Sequence, residues 1–389
     1  VRAAFSIGID TDVNELTTVK DLIPEELASQ ALLSLTQICK AMRSRAIFVV
    51  LNIRSWTDAF AVFEGLNNRG LDLSEKDLVK NSILARGHAQ GIQTPETFTE
   101  LEKMWSTIES RIADTKFSNF LRHFLLLHRR DVALKRVLRV LRDVFEGRDA
   151  SSILSELDKA TKAYAPLLKP SVLTAKSDAK IKNQLLVLKT YDTSRSYPIA
   201  LAARLVLTSQ KDQLRIFKAI EVLNVRRSVI LHLDNKAIED SIGEIARMLY
   251  KDGPKGVETA LESIKAITPE DKDFLREFET RVVATPAIAR MLVLQLENHL
   301  RQAEHQISFD DTSLEHILPQ DPTKWNLTAE QMRLHPSLIN RIGNHTLLTI
   351  GANSGLSNQP FKDKKKFYAE EALKINTCLL YTSPSPRDQ

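Results

Sequence analysis

Apolar positions recur along most of this chain at helical spacing, and three short runs break that rhythm. Leu27, Ala31, Leu32, Leu35 and Ile38 share one helical face behind Ile23-Pro-Glu-Glu, which predicts one or two helices within residues 12–45. The first break, Ala46-Ile-Phe-Val-Val-Leu-Asn-Ile53, is β-branched and short, and reads as a buried strand. A helix carrying Phe60 and Phe63 then ends at Asn67-Asn-Arg-Gly70, where the glycine suits a left-handed turn. Ser74 caps the next helix, with Asp77 three residues on.

Residues 94–304 form a long helical region. Asn119–His128 and Val137–Phe145 alternate apolar and basic faces, and connectors fall near Gly147, Lys169-Pro-Ser, Ser196-Tyr-Pro and Asp252-Gly-Pro, without a fixed repeat. Arg129, Arg130, Lys135, Arg136, Arg139 and Arg142 make its densest basic cluster, which reads equally as a phosphate track or a solvated helix face. His123 and His128 lack zinc-peptidase spacing and read as packed or singly exposed. Arg226-Arg227 follows an apolar helix and reads as structural or interdomain. Leu292–His299 is a last buried helix before the remaining two apolar runs.

Those runs lie between Ser313 and Lys366. In Leu314-Glu-His-Ile-Leu318, Pro319 removes the donor that a longer strand would need. His345-Thr-Leu-Leu-Thr-Ile350 is bounded by Gly343-Asn344 and Gly351. The two predict an antiparallel pair, and Phe361, Phe367 and Tyr368, spaced among lysines, predict a helix across it. In such a ββα unit the carboxylate of Glu315 and the amide oxygen of Asn353 converge on a divalent cation, Mg²⁺ or Mn²⁺ by their hard oxygen chemistry. His316 is the residue type that takes a proton from water near neutral pH. Asn344, at the start of the second strand, places a carbonyl or amide where it can fix the His316 tautomer. Against this stands a plainer reading, an acid and a histidine at the end of a surface strand. His335, beside Pro336, reads as a surface residue, and His345 as pointing outward.

Glu-His-Ile-Leu-Pro-Gln, then Gly-Asn-x-x-Leu-Leu, then Asn353 and a basic helix together resemble the HNH (His-Me finger, ββα-metal) nuclease core. More narrowly, the pattern resembles the C-terminal nuclease domain of GmrSD-type modification-dependent restriction proteins. The resemblance implies that His316 activates water, Glu315 and Asn353 bind the metal, and Asn344 orients the histidine. It also implies that Lys364 and Lys365 meet phosphate, with Lys366 an equivalent choice. Phe63-Glu-Gly-Leu-Asn-Asn-Arg-Gly-Leu-Asp-Leu-Ser-Glu-Lys-Asp-Leu-Val-Lys-Asn81 resembles the close of that family's ParB/sulfiredoxin-like N-terminal domain. Asn67, Arg69 and Gly70 would then border a nucleotide pocket, or simply stabilise a tight interhelical turn. The Tyr-Gln-Arg and Asp-Gly-Gln-Gln-Arg segments that the family uses for the nucleotide are missing, so that domain reads as incomplete and nucleotide binding is left open.

Composition adjusts this picture only modestly. With 389 residues and 43% hydrophobic content, the chain can bury two or three cores. A net charge of +5 permits nucleic-acid binding without requiring it. Cys39 and Cys378 lack metal-ligand spacing, and no apolar run approaches the roughly 20 residues of a membrane span, so the expectation is a cytoplasmic protein. The tail from Cys378 breaks in composition, with two Ser-Pro steps that disfavour helix, and resembles adaptor read-through.

The expected fold is mainly α with a small α+β part. It comprises a partial ParB/sulfiredoxin-like domain at 1–93, a helical domain at 94–304, an HNH-like ββα unit at 305–376 and a non-native tail at 377–389. The expected activity is metal-dependent cleavage of DNA, modified or not, by one chain that nicks or by a homo-oligomer that cuts both strands. The rival readings are a DNA- or partner-binding defence protein with a silent nuclease, and a nucleotide-hydrolysing switch.

Overall fold

A computed structural model of the chain describes residues 75–89, 95–112, 114–130, 132–133, 136–301, 306–350, 356, 358–371 and 373–381, with a few isolated helical positions between 33 and 44. The chain divides into two compact units, Val1–Ala59 and Phe60–Gln389, and the elements below all belong to the second. The expected strand at 46–53, the Phe60 helix and the turn at Asn67, Arg69 and Gly70 lie outside the described residues.

Helices dominate, as the apolar spacing predicts. In order they are α1 (Glu75–Ala89), α2 (Pro95–Arg111), α3 (Asp114–Leu125), α4 (Val137–Val144), α5 (Ala150–Leu168), α6 (Ala179–Thr190), α7 (Tyr197–Val206) and α8 (Gln210–Asn224). After a π-helical turn at Val225–Ile230 come α9 (Glu239–Asp252), α10 (Val257–Ala266), α11 (Asp271–Phe278) and α12 (Pro286–Arg301). The predicted connectors sit at their ends. Asp149 caps α5 by accepting from the Ser152 amide at 2.8 Å, and Gly253 ends α9 at a φ of 60°, where a side chain would be strained. On α5, Ile153, Leu154, Leu157, Ala160, Tyr164 and Leu167 follow the helical period and are buried. They join Phe117, Phe120, Phe124 and Trp105 in one core that runs from α1 to α10. His123 is packed there, its Nδ1 2.9 Å from the Tyr164 hydroxyl, and burial lowers its pKa to about 3.

A second core joins the ends of this helical region to the C-terminal unit. Tyr191 and Ile230 meet Met291, Leu292 and Val293 of α12, together with Ile342 and Leu347. Arg226 has the structural role its sequence suggests: it donates to the Pro269 carbonyl and to Asp271, with its guanidinium over the Phe274 ring.

The C-terminal unit holds β1 (Thr312–His316), α13 (Ala329–Leu338), β2 (His345–Thr349), α14 (Phe361–Glu370) and α15 (Lys374–Tyr381). β1 and β2 pair antiparallel, from Thr312 opposite Thr349 to His316 opposite His345. This is the predicted ββα arrangement, with β1 beginning earlier than its apolar run. One sheet face, with Leu314 and Leu347, belongs to the α12 core, and Leu348 on the other packs with Leu356 and Tyr368. Glu297 of α12 is fully buried and accepts the Lys374 and Ile375 amides, fastening the start of α15. The change of composition at Cys378 falls inside α15, which runs to Tyr381, short of the two Ser-Pro steps, with Leu379 and Leu380 packed against the Leu348 cluster.

Candidate active site

Glu315 and His316 occupy the last two register positions of β1, where the ladder opens. Strand alternation sends them to opposite faces. Glu315 turns toward α14 and is 5% exposed. Its Oε1 accepts from Lys364 Nζ at 2.6 Å and lies 3.4 Å from the Tyr368 hydroxyl. Among the described residues Oε2 takes no hydrogen bond. Lys364 also donates to the His316 carbonyl at 2.7 Å, so one ammonium joins α14 to the end of β1.

That placement departs from the expectation for Lys364, which is completely buried rather than turned to phosphate. Helical phase explains it. Phe361, Lys364 and Tyr368 stand at i, i+3 and i+7 on the face that covers the sheet, and the ammonium survives there because a carboxylate meets it. Lys365 and Lys366 lie off this face; Lys365 is partly exposed, and Lys366 is exposed and pairs with Asp363.

His316 lies on the face of Leu314, His345 and Leu347 and is half-buried. Desolvation lowers its pKa below the ordinary 6.5, partly opposed by the neighbouring Asn340 side chain and by the charge of Glu315. Asn340 is thus a neighbour of the ring that the sequence reading missed. Asn344 does something else. Its amide donates to the Leu318 and Ile339 carbonyls at 2.9 Å each, its oxygen accepts the Leu318 amide at 2.7 Å, and its carbonyl accepts Ile317 at 2.9 Å. It shapes the bend after His316 rather than touching the ring.

Two other histidines also differ from expectation. His335 is 7% exposed, with Nε2 2.8 Å from the Pro319 carbonyl, and so pins α13 to the end of β1. Thr328 and Gln331 start that helix with a capping box. His345 points inward, 5% exposed, because strand period puts it on the Leu347 face. Burial lowers its pKa to about 4. Its ring meets that of His316 edge to face, centroids 4.8 Å apart at 76°.

For a divalent cation the described donors are few. Asn353 lies outside the described residues, as do Asn67, Arg69 and Gly70. No group of three His, Cys, Asp or Glu among the described residues is placed to hold an ion. Glu315 nonetheless keeps one carboxylate oxygen open, and a single carboxylate with amide oxygen and water is how Mg²⁺ is commonly held. The donor chemistry fits such an ion.

Residues 268–383 match the family model described as GmrSD restriction endonucleases, C-terminal domain. The C-terminal part of this chain is of the GmrSD type. The matched region starts within α11's approach, so it takes in α11 and α12 as well as the sheet, and it ends beyond α15. The GmrSD family is one of restriction endonucleases, whose substrate is DNA. No curated protein matches the chain. No helix among the described residues is long and apolar enough to cross a membrane.

Proposed function

We propose that this GmrSD-type chain is a metal-dependent DNA endonuclease of the restriction and defence type, in which His316 activates the water that hydrolyses a phosphodiester. The observation that carries the reading is the condition of the His316 ring. Desolvation keeps it neutral at pH 7, and a neutral imidazole retains one nitrogen lone pair for a proton from water. Glu315 supplies an open carboxylate oxygen at the same end of the ladder.

Glu315 and Asn353 would hold Mg²⁺ or Mn²⁺, and such an ion supplies Lewis-acid stabilisation of charge developing on the phosphate. The chain's own residues do the rest. Lys364 fixes the Glu315 carboxylate and the His316 backbone, Asn340 fixes the ring, and Lys365 on the partly exposed side of α14 meets substrate phosphate.

The Glu315–Lys364 pair also favours a second reading. A carboxylate already matched by a buried ammonium is what a silent nuclease that only grips DNA or a partner would retain. Plasmid cleavage with Mg²⁺ or Mn²⁺, on modified and unmodified DNA, separates the two. Cleavage abolished by chelator supports the enzyme, whereas DNA binding without cleavage under every condition supports the silent form.

A further inference from the structure

We propose that His316 and His345 form a two-imidazole site for a nitrogen-preferring transition ion of the Zn²⁺ class, and that filling this site takes His316 out of service as a base. Binding stands on the geometry alone, while the inhibitory consequence rests on the nuclease reading above.

The two histidines face each other at the last register position of the β1–β2 ladder. Beside them the Ile317 amide bonds the Asn344 carbonyl at 2.9 Å, which makes the histidine pair the non-hydrogen-bonded kind, whose side chains stand closest. An ion sits about 2.0–2.1 Å from an imidazole nitrogen, and hence roughly 3.2 Å from the ring centre. Ring centres 4.8 Å apart then correspond to an angle of about 97° at a shared ion, between square and tetrahedral coordination.

An edge-to-face aromatic pair has a similar spacing, so the state of the nitrogens is what distinguishes the two. Both ring nitrogens of His345 are buried without a hydrogen-bond partner among the described residues, on a residue only 5% exposed. Buried polar atoms without partners are rare and cost about 1–3 kcal/mol each, which is a poor bargain for a ring kept only to pack. His316 complements them. Asn340 is its side-chain neighbour, the kind of outer contact that typically orients a metal-binding histidine.

The chemistry selects among ions. Imidazole suits Zn²⁺, Cu²⁺ and Ni²⁺, whereas Mg²⁺ prefers the oxygens offered by Glu315 on the opposite face. No third His, Cys, Asp or Glu joins the pair among the described residues, so water completes the shell and binding is reversible rather than structural.

Zn²⁺ titrated calorimetrically into the chain without DNA, with Co²⁺ as a visible-absorbing substitute, tests this. The wild type should bind one ion per chain, and His345→Leu and His316→Ala should each bind at least tenfold more weakly and lose the Co²⁺ ligand-field bands. His345→Phe keeps a ring while removing both nitrogens, and replaces the leucine variant if that one does not fold. Absence of saturable binding in the wild type, or equal affinity in the His345 variant, overturns the site. In Mg²⁺-supported cleavage, Zn²⁺ should inhibit the wild type at concentrations at least tenfold below those that affect His345→Phe. A chain that binds Zn²⁺ through the pair but cuts nothing contradicts the nuclease reading and leaves the site standing. Equal Zn²⁺ sensitivity in an active wild type and His345→Phe contradicts the inhibitory role.

Discussion

Lys364 Nζ lies 2.6 Å from Glu315 Oε1, with both side chains almost completely removed from solvent. The pair sets α14 across the end of β1 and holds the carboxylate with one oxygen open. Breaking a buried pair from one side leaves an uncompensated charge, at a cost of about 3–5 kcal/mol. Lys364→Met should therefore lower unfolding stability by that order in urea denaturation. Glu315→Leu combined with Lys364→Met should recover most of the loss while leaving cleavage abolished. Recovery of both would mean that Glu315 serves packing alone.

Asn340 and Asn344 should separate cleanly. Asn340→Ala removes the ring contact and should lower kcat by about 10–100-fold with KM little changed, the usual scale for losing an orienting partner. Asn344→Ala removes three side-chain hydrogen bonds at the bend, and should cost about 2–3 kcal/mol of stability. Steady-state kinetics and urea melts on the two variants check the division. A fall in stability alone for Asn340→Ala would contradict its positioning role.

This division marks where sequence reasoning stopped. The strand pair was readable from two short apolar runs bounded by Pro319 and Gly343-Asn344, since those runs need only local chemistry. The burial of His345 was also readable, because it shares the Leu347 face, and so was that of Lys364, in phase with Phe361 and Tyr368. A lysine inside Lys-Asp-Lys-Lys-Lys reads as solvated only if helical phase is ignored. Asn340 was not readable, because its contact with His316 depends on how the bend after α13 returns to the sheet. His335 was misread for the same reason: its partner is a carbonyl 16 residues away at Pro319.

Lys365 and Lys364 should have different effects on DNA binding. Lys365→Ala should weaken binding similarly across sequences and reduce the salt slope, log K against log[salt], by about 1. Its folding should stay within about 0.5 kcal/mol of wild type, as expected for a surface change. Filter binding at several salt concentrations checks this, and an unchanged slope would remove Lys365 from the phosphate contacts.

Stability should depend on pH through His123. Its folded pKa, about 3, lies below the ordinary 6.5, so between those values the unfolded chain binds the extra proton. The neutral-ring contribution is thus fully present above pH 6.5 and is lost as pH falls toward 3. His123→Gln should flatten the pH dependence of urea unfolding across that window. An unchanged slope would mean that other groups carry it.

The central claim is that His316 is the base, and single-turnover cleavage of a plasmid in Mg²⁺ by wild type and His316→Ala tests it most directly. Matched thermal melts and matched DNA affinity would show that only chemistry differs. A loss of about 10²–10⁴-fold in rate, the usual contribution of a positioned general base, is the predicted result. Cleavage within a few-fold of wild type in a folded, DNA-binding His316→Ala protein would contradict the assignment.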